Sequence, residues 1–477
     1  MPPRRPTKLD PFGLPLEPQP VPDDNDPLTW DQRRKVNILI LISLMSFLSQ
    51  FLAMDISSAL WSLHKYFGVT YNRASYTIGS YIALMGVAPF LWNPLSGRIG
   101  RRPLLIASLL GTAATATMSG LSRSYIMIII ARCVNGAFAA IPIGLGSVIV
   151  CDLFYQHERG FYLGIYMVVQ ITGAHMGPTL SGYIYKGINW HWCFYIPAIA
   201  AGIVFIVVAA TFPETLYSRN VASLSRPNMT LYQREYLRKK REDGRKLDTG
   251  AFLRPFMMLR YPSIVLPSIY YAVTSGYANF IFFTTSSVLF HHYYNFRTWQ
   301  IGLLLGLPMT FGSWLGEFGA GGFSDWVTER RAVNRSGKRI PEDRLYAMLP
   351  GVILAPTGLI IEALCLQHRT HWVGPGLGIG IASAGFQIIT TVTYAYTAEC
   401  YPRQTSETAT ILNFGRQMFS FCLGFYNFHF LFRFGVQTAW LVYACAQVAC
   451  FVPMVALMLK GAAWREQYPG PDWNLDL

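Results

Sequence analysis

Long uncharged stretches recur along the whole of this 477-residue chain. Residues 103–121 and 439–457, for example, are predominantly apolar and contain no Asp, Glu, Lys or Arg. A helix of about 20 such residues spans the hydrocarbon core of a bilayer, and it satisfies all of its backbone hydrogen bonds within the segment. The chain is therefore predicted to be a polytopic membrane protein built from α-helices.

Twelve spanning helices are predicted, and the polar segments between them divide the chain. The helices run over approximately 36–60, 73–96, 103–121, 125–150, 160–186, 192–212, 263–290, 299–323, 346–366, 372–397, 408–432 and 437–460. We expect a cytoplasmic N-terminal tail (1–35), a six-helix bundle (36–212), a cytoplasmic central loop (213–262), a second six-helix bundle (263–460) and a cytoplasmic C-terminal tail (461–477). Residues 1–35 contain no hydrophobic core, so the first helix is expected to act as the signal anchor.

The basic charge of the chain follows this topology. Its net charge is +14, yet only 13% of its residues are charged. Seven of the 39 Lys and Arg residues lie at the predicted outer face and two lie within helices, whereas the other 30 lie at the predicted cytoplasmic face. This asymmetry is the positive-inside pattern, and it excludes nucleic acid as the reason for the charge. The eight cysteines form no CxxC pair and are typical of apolar fillers, so no metal or cofactor is expected.

A glycine-rich stretch at 164–182 lies in the predicted fifth helix and contains Gly164, Gly173, Gly177, Pro178 and Gly182. Gly173 and Gly177 are four residues apart and share a helix face. Small residues on one face allow another backbone to approach closely within a membrane, and Pro178 removes a backbone donor and weakens the helix. The glycines alone favour a static packing helix and a rocking helix about equally.

The spacing of these residues resembles motif C, which marks the fifth helix of drug:proton antiporters in the major facilitator superfamily. Ser181 stands in place of the first glycine of the terminal pair. The FPETL segment at 212–216 and the PEDRL segment at 341–345 resemble fungal members of this branch. The resemblance covers about 30–462 and implies the all-α integral membrane fold of that superfamily, with two six-helix bundles around a central cavity.

The loop after the second helix partly resembles motif A of the same superfamily, which ties helices 2 and 3 to the inward gate. Gly100, Arg101 and Arg102 match the motif, whereas Gly97 stands where the motif has its aspartate. A plain cytoplasmic marker is the alternative interpretation of these arginines.

The second half repeats the motif A pattern after the eighth helix, with Gly321, Asp325, Arg330 and Arg331. Paired loops about half a chain apart are typical of an internally duplicated transporter. Because Gly97 has no carboxylate, we expect Asp325 to carry more of the inward gate than the N-terminal loop does. The glycines of the eighth helix, including Gly302 and Gly306, are expected to pack on the glycine face of the fifth helix and to move against it.

The charged residues within predicted spans include Asp55, Arg132 and Arg416. Such residues are expensive in a bilayer and need a partner or a water-filled cavity. Arg132 and Gly136 resemble motif B, whose arginine lines the cavity and couples to proton movement. Asp55 and Arg132 are expected at similar depth and are predicted to form a proton-responsive pair, with Asn135 nearby. A structural arginine held by a backbone carbonyl is the alternative.

The substrate cavity is predicted from aromatic and polar residues of the seventh, tenth and eleventh helices. Its candidate residues are Tyr270, Tyr271, Tyr277, Asn279, Gln387, Tyr394 and Arg416. Aromatic membrane helices are as often simply packed against neighbours. The site interpretation depends on the resemblance, which implies that helices 1, 4, 7 and 10 line the central cavity.

The predicted function is proton-coupled export of a small organic molecule, such as a drug, toxin or secondary metabolite, by alternating access. The expected partners are the lipid bilayer, the substrate and protons, and the expected state is a monomer in the plasma membrane, with the vacuolar membrane as the alternative. No Walker A pattern occurs in the chain. An importer of a solute such as a polyamine and a receptor without transport remain open. A membrane enzyme has no HExxH, GxSxG or histidine-box motif in its favour.

Overall fold

The structure, a computed structural model, describes residues 26–217, 249–334 and 340–468 together with residues 470, 471 and 473. Within these residues the chain is helical and has no β-strand. Most of the N-terminal tail, of the central loop and of the end of the C-terminal tail lies outside the described residues.

Twelve helical spans, labelled α1 to α12, follow one another in the described part of the chain. The first six are α1 (Gln32–Met54), α2 (Tyr71–Val87 continued by Pro89–Ile99), α3 (Arg101–Gly120), α4 (Tyr125–Leu153), α5 (Gln156–Gly187) and α6 (Trp192–Thr211). The other six are α7 (Pro262–Ser275 and Ile281–Tyr294), α8 (Thr298–Asn334), α9 (Leu349–Gln367), α10 (Val373–Cys400), α11 (Thr405–Phe434) and α12 (Val436–Gln467). Each lies on one of the predicted helices, with ends that differ by a few residues in most cases.

Eight of the spans pass a test of length and hydropathy for crossing a membrane, or nine if the two parts of α2, bent by 45°, form one span. The other three are α5, α7 and α11. These three helices lie where the two halves of the chain meet, because α5 packs on α8, α7 contacts the segment after α1, and α11 packs on α2. Their lower hydropathy therefore coincides with contacts between the halves.

The first helix ends six residues earlier than the sequence predicts. It stops at Met54, and a 3₁₀ turn (Ser57–Ala59) and a short helix (Leu60–Phe67) follow. The last carbonyls of a helix lack partners within the helix, and two of them, at Leu52 and Ala53, accept hydrogen bonds from a buried side chain described below. Tertiary contacts therefore end this helix, and a hydropathy profile contains no information about such contacts.

Helix α7 is interrupted by a π-turn at Gly276–Phe280. Gly276 lies against α11, and a Cβ at this position would be 2.5 Å from Cδ1 of Phe419. The wide turn and the missing side chain let α7 pass close to α11 at mid-span. Helix α8 continues to Asn334, eleven residues past its predicted end. Its last turns are polar, so hydropathy places the end of the span before the end of the helix.

The arginine-rich loops after α2 and α8 lie at one end of the molecule, which we call the basic end. The 3₁₀ segment Pro341–Met348 joins α8 to α9 at this end. At the opposite end, the segment after α1 contacts α7: Ser287 Oγ donates to the carbonyl of Ser58 at 3.0 Å, and the N–H of Trp61 donates to Ser287 Oγ at 3.3 Å. The two halves thus touch through both side chain and backbone away from the basic end.

Candidate functional site

Arg132 of α4 is fully buried and forms hydrogen bonds to three backbone carbonyls. Its Nη1 donates to Leu52 at 2.6 Å, its Nη2 donates to Ala53 at 3.1 Å, and its Nε donates to Thr77 of α2 at 3.1 Å. The guanidinium also lies over the ring of Tyr81, 4.5 Å from its centroid. Arg132 therefore joins α4 to the end of α1 and to the first half of α2.

Asp55 is the residue that follows α1, and it is fully buried beside Arg132. Its Oδ1 lies 3.4 Å from Nη1 of Arg132. Among the described residues, neither carboxylate oxygen accepts a hydrogen bond. Arg132 therefore contacts both Asp55 and backbone carbonyls, which are the partners that the two interpretations predict. The role of the pair in proton coupling stays a prediction.

Two further polar side chains are buried near the middle of the N-terminal half without protein partners. Asn135 follows Arg132 by one helical turn, and neither atom of its amide is hydrogen-bonded within the described structure. The same holds for both ring nitrogens of His175 in α5, whose ring stacks on Phe283 of α7 at 6.1 Å between centroids. Buried groups of this kind usually bind water or a ligand.

The two central glycines of the α5 motif pack on α1. A Cβ at Gly173 would lie 2.3 Å from the carbonyl oxygen of Phe47, and one at Gly177 would lie 3.0 Å from that of Phe51. The expectation that this glycine face meets α8 is therefore wrong for these two residues. Gly164 has no heavy atom within 4 Å of such a Cβ, so this motif position makes no close contact in the described structure.

Helices α5 and α8 do pack closely, as predicted, but chiefly through the glycines of α8. A Cβ at Gly302 would lie 2.2 Å from the carbonyl oxygen of Pro178, and one at Gly306 would lie 2.0 Å from Oγ1 of Thr179. Thr179 Oγ1 donates to the carbonyl of Gly302 at 3.0 Å. On α5 itself, Gly182 faces the first residue of α8. The motif thus places α5 between α1 and α8.

Three of the predicted cavity residues come together in the C-terminal half. The ring of Tyr271 in α7 lies 5.9 Å from that of Phe386 and 5.7 Å from that of Tyr394, both in α10. The guanidinium carbon of Arg416 in α11 lies 6.0 Å from the centroid of Tyr271, and Arg416 Nη2 donates to Oδ1 of Asn413 at 3.0 Å. We call Tyr271, Phe386, Tyr394, Asn413 and Arg416 the Arg416 cluster.

The other predicted cavity residues lie elsewhere. Tyr270 packs on Phe451 of α12, and Tyr277 stacks on Tyr443 of α12 at 4.4 Å between centroids. Asn279 is half-buried in the π-turn of α7.

Gln387 of α10 donates to Oε2 of Glu317 in α8 at 2.5 Å, within the C-terminal bundle. Helix periodicity can place such residues on a face of α7 or α10, but it does not show which neighbouring helix that face meets.

At the basic end, the N-terminal loop is organised by Glu214 of the FPETL segment. Its carboxylate accepts from the N–H groups of Arg101 at 3.0 Å and of Arg102 at 3.2 Å, which begin α3. Gly100 has φ +103°, and a Cβ there would lie 2.5 Å from Glu214 Oε2. Arg101 also forms an ion pair with Asp152 of α4. The carboxylates that Gly97 cannot supply therefore come from α4 and from the segment after α6.

The C-terminal loop is organised by the PEDRL segment. Arg344 pairs with Oδ1 of Asp325 at 3.0 Å and with Oε1 of Glu399 in α10 at 2.6 Å. Arg330 lies over the ring of Trp326 in its own helix. These contacts of Asp325 and Arg330 remain within the C-terminal half, so its loop makes no inter-half gate through them in this conformation.

Three buried carboxylates of the C-terminal half were not among the predicted site residues. Glu342 forms two hydrogen bonds with Arg465 of α12, at 2.7 and 2.8 Å, and Asp343 pairs with Arg331 at 2.8 Å. Glu362 of α9 is fully buried and accepts from Trp440 Nε1 at 2.7 Å. The sequence shows the charges of the PEDRL run, but it does not show which residues pair with them.

Comparison with known proteins identifies the family. The sequence profile of the Major Facilitator Superfamily matches residues 39–425. The chain belongs to the major facilitator superfamily. It is therefore a multi-pass membrane protein with the fold of two six-helix bundles, as the sequence predicts.

Fungal transporters are among the curated relatives of this superfamily member. An uncharacterized transporter of Schizosaccharomyces pombe is 29% identical, over 80% of this chain and 78% of the relative. The MFS-type transporter penM of Penicillium rubens is 28% identical, over 80% of this chain and 75% of the relative. Among solved structures, a bacterial homologue of the human lysosomal transporter Spinster, in an inward-facing and unoccupied conformation, matches 93% of this chain and 100% of its own with a TM-score of 0.60 and 14% identity. That structure supports the fold alone.

Proposed function

We propose that this chain is a proton-coupled transporter that exports a small organic molecule by alternating access. The buried Asp55–Arg132 pair is the observation that carries the proposal. An ionisable pair inside a membrane bundle is expensive and typically marks a proton or ion pathway. Arg132 and Gly136 resemble motif B, and the glycine spacing of α5 resembles motif C. Both resemblances support coupling to protons.

The pair has the geometry of a switch at the end of α1. Protonation of Asp55 removes its negative charge and weakens its attraction to Arg132, while the three carbonyl bonds of Arg132 remain available. Because Asp55 lies just beyond the last turn of α1, a change in this pair acts on the segment that contacts α7 through Ser58 and Ser287. The proton-binding residue thus lies close to a contact between the halves.

The described conformation is closed at the end opposite the basic end. Besides the contact between Ser58 and Ser287, Asn72 of α2 is hydrogen-bonded to His429 of α11, and Tyr71 packs on Phe428. With the basic end in the cytoplasm, as the positive-inside rule predicts, these contacts close the outer side. Outward release of substrate then requires that they separate, with α5 and α8 sliding on their small-residue contacts.

Transport in proteoliposomes tests this proposal. Full-length protein is reconstituted, and the flux of a panel of amphiphilic organic compounds is measured with an imposed pH gradient, then with a protonophore. We expect accumulation against the concentration gradient that the protonophore abolishes. Flux in the opposite direction to the proton supports export, whereas flux in the same direction as the proton supports the importer alternative. Specific binding without flux supports the receptor alternative.

We further propose a monomer in the plasma membrane. A fluorescent fusion expressed at native level distinguishes plasma from vacuolar membrane, and single-molecule bleaching in liposomes counts the subunits. One bleaching step for each particle supports a monomer, and two steps contradict it.

A further inference from the structure

We propose that the transported molecule is an anion with an apolar ring system, bound through its carboxylate or a similar acidic group to Arg416. The ring system would lie against Tyr271 and Tyr394. That the bound molecule is transported rests on the proposed function, whereas the binding site itself rests on the Arg416 cluster.

Arg416 is a membrane-embedded cation for which no described residue supplies a compensating anion. Among the described residues it forms no salt bridge, and its one side-chain hydrogen bond goes to the neutral amide of Asn413 in the same helix. Its Nε is buried and has no hydrogen-bond partner. A guanidinium has five donors in a fixed planar arrangement that suits a carboxylate. The site therefore lacks one anionic acceptor.

Three helices supply the side chains of the Arg416 cluster. Arg416 comes from α11, Tyr271 from α7, and Phe386 and Tyr394 from α10. Tyr271 and Phe386 are nearly parallel, with 3° between their ring planes, whereas Tyr394 meets Tyr271 edge to face at 84°. Flat ring surfaces beside a cation suit an aromatic acid, because the rings can contact its apolar ring system and the cation can bind its carboxylate.

The same observations argue against a polycationic substrate. A polyamine at this site would place ammonium groups next to Arg416, and no acidic side chain is paired with that arginine in the described structure. Buried like charges repel one another. A neutral substrate would leave the donors of Arg416 without an ionised acceptor.

Equilibrium binding to the purified full-length protein in lipid nanodiscs tests the inference. The probes are sets of aryl compounds with one, two and three rings, each set comprising the acid, its amide and the corresponding amine. The two-ring set is 2-naphthylacetate, 2-naphthylacetamide and 2-(2-naphthyl)ethylamine. Calorimetry on wild type is expected to show that at least one acid binds ten or more times as tightly as its amide, and that no amine binds as well as its acid.

Three variants locate the effect. Arg416→Gln is expected to weaken binding of the acid at least tenfold and to leave binding of the amide within twofold. Arg416→Lys keeps the charge but loses the planar guanidinium, and its affinity for the acid is expected to lie between those of wild type and Arg416→Gln. Arg433→Gln serves as the control, because Arg433 lies on the same helix but is exposed near its end. It is expected to behave as wild type.

The inference is overturned if an amide or amine binds as tightly as its acid, if no acid of the panel binds, or if Arg416→Gln leaves acid binding unchanged. These measurements use no gradient, so they stand apart from direction and coupling. Tight, Arg416-dependent binding without proton-driven flux would refute the proposed function and keep the site.

Discussion

Arg132 in the N-terminal half and Arg416 in the C-terminal half both lie within membrane helices, and the two arginines have opposite surroundings. Arg132 is fully buried, donates to three carbonyls and faces Asp55. Arg416 is half-buried, hydrogen-bonds to one amide of its own helix and has no paired carboxylate among the described residues. Protein groups therefore satisfy the arginine of the N-terminal half, whereas the described residues leave the arginine of the C-terminal half without an anionic partner.

This difference separates two roles that a transporter must combine. A fully compensated arginine holds neighbouring helices together and responds to the charge of its partner. An uncompensated arginine gains most of its stabilisation when an anion arrives. The N-terminal half is thus suited to sense protons and the C-terminal half to bind the anionic part of a substrate.

The largest expected effect is on Arg132. Arg132→Gln leaves Asp55 as a buried unpaired carboxyl group and removes the guanidinium donors to Leu52, Ala53 and Thr77. Breaking a buried ion pair in this way costs about 3–5 kcal/mol. We expect a sharp loss of folded protein, measured as the monodisperse fraction in mild detergent and as the thermal midpoint.

Arg416→Gln is the matched control for that experiment. It removes no ion pair within the described structure, so we expect a change in stability of less than about 1 kcal/mol. Equal destabilisation by the two substitutions would contradict the comparison, since it would mean that Arg416 also has a structural role.

Asp55→Asn comes next, and its effect is on coupling. The amide has nearly the shape of the carboxylate and cannot titrate near neutral pH, while Arg132 keeps its carbonyl bonds. In proteoliposomes we expect substrate binding within about threefold of wild type and proton-driven accumulation reduced at least tenfold, a factor equivalent to about 1.4 kcal/mol.

Undiminished proton-driven transport by this variant would remove Asp55 from the mechanism. Loss of folded protein instead would favour a fixed structural bridge between α1 and α4. Measuring binding and flux on the same preparation distinguishes these outcomes.

Gly173→Ala tests whether the position of α1 matters to the N-terminal arginine. The new methyl group would lie 2.3 Å from the carbonyl oxygen of Phe47, so α1 must shift away from α5. Overpacking of this kind costs about 1–3 kcal/mol, and a displaced α1 takes the carbonyls of Leu52 and Ala53 away from Arg132. We expect a lower thermal midpoint and impaired transport.

Gly164→Ala is the control within the same motif, because its Cβ would meet nothing within 4 Å. It is expected to fold and transport as wild type. A strong effect at Gly164 with none at Gly173 would show that the helix contacts described here are not those that matter for transport.

Much of the fold could be predicted from the sequence, because hydropathy and charge asymmetry act over whole helices. The positions of the helical spans followed from such patterns, and the packing of α5 on α8 followed from the spacing of the glycines. The break after Met54 could not be predicted, since it depends on an arginine about 80 residues away that takes the carbonyls of Leu52 and Ala53.

The candidate site was predictable in part for the same reason. Asp55 and Arg132 stood out because charges are rare inside apolar spans, and the structure pairs them. Tyr270 and Tyr271 are neighbours with similar chemistry, yet only Tyr271 meets Arg416, whereas Tyr270 meets Phe451. Which face of α7 meets α11 and which meets α12 is a tertiary property that local pattern does not contain.

The smallest expected effects concern the loops of the two halves at the basic end, where the same contrast between buried and open charge returns. Glu214 is nearly buried and accepts from the first two N–H groups of α3, a position where Gly100 has no side chain to do so. Glu214→Gln loses the negative charge at a helix N-terminus, and we expect a loss of about 1 kcal/mol. Asp325 is 67% exposed, and its partner Arg344 keeps Glu399 at 2.6 Å. Asp325→Asn is therefore expected to change stability by less than about 0.5 kcal/mol.

Thermal midpoints of the two variants measured side by side test this order, and transport assays on the same samples test the gate separately. If Asp325→Asn slows transport more than Glu214→Gln while remaining the more stable variant, the C-terminal loop has the larger share of the inward gate. The carboxylate would then act in a conformation other than this one, since here its partner Arg344 belongs to the same half. If Asp325→Asn is instead the less stable variant, the open charge matters more to folding than the buried one, and the contrast between the halves does not extend to the basic end.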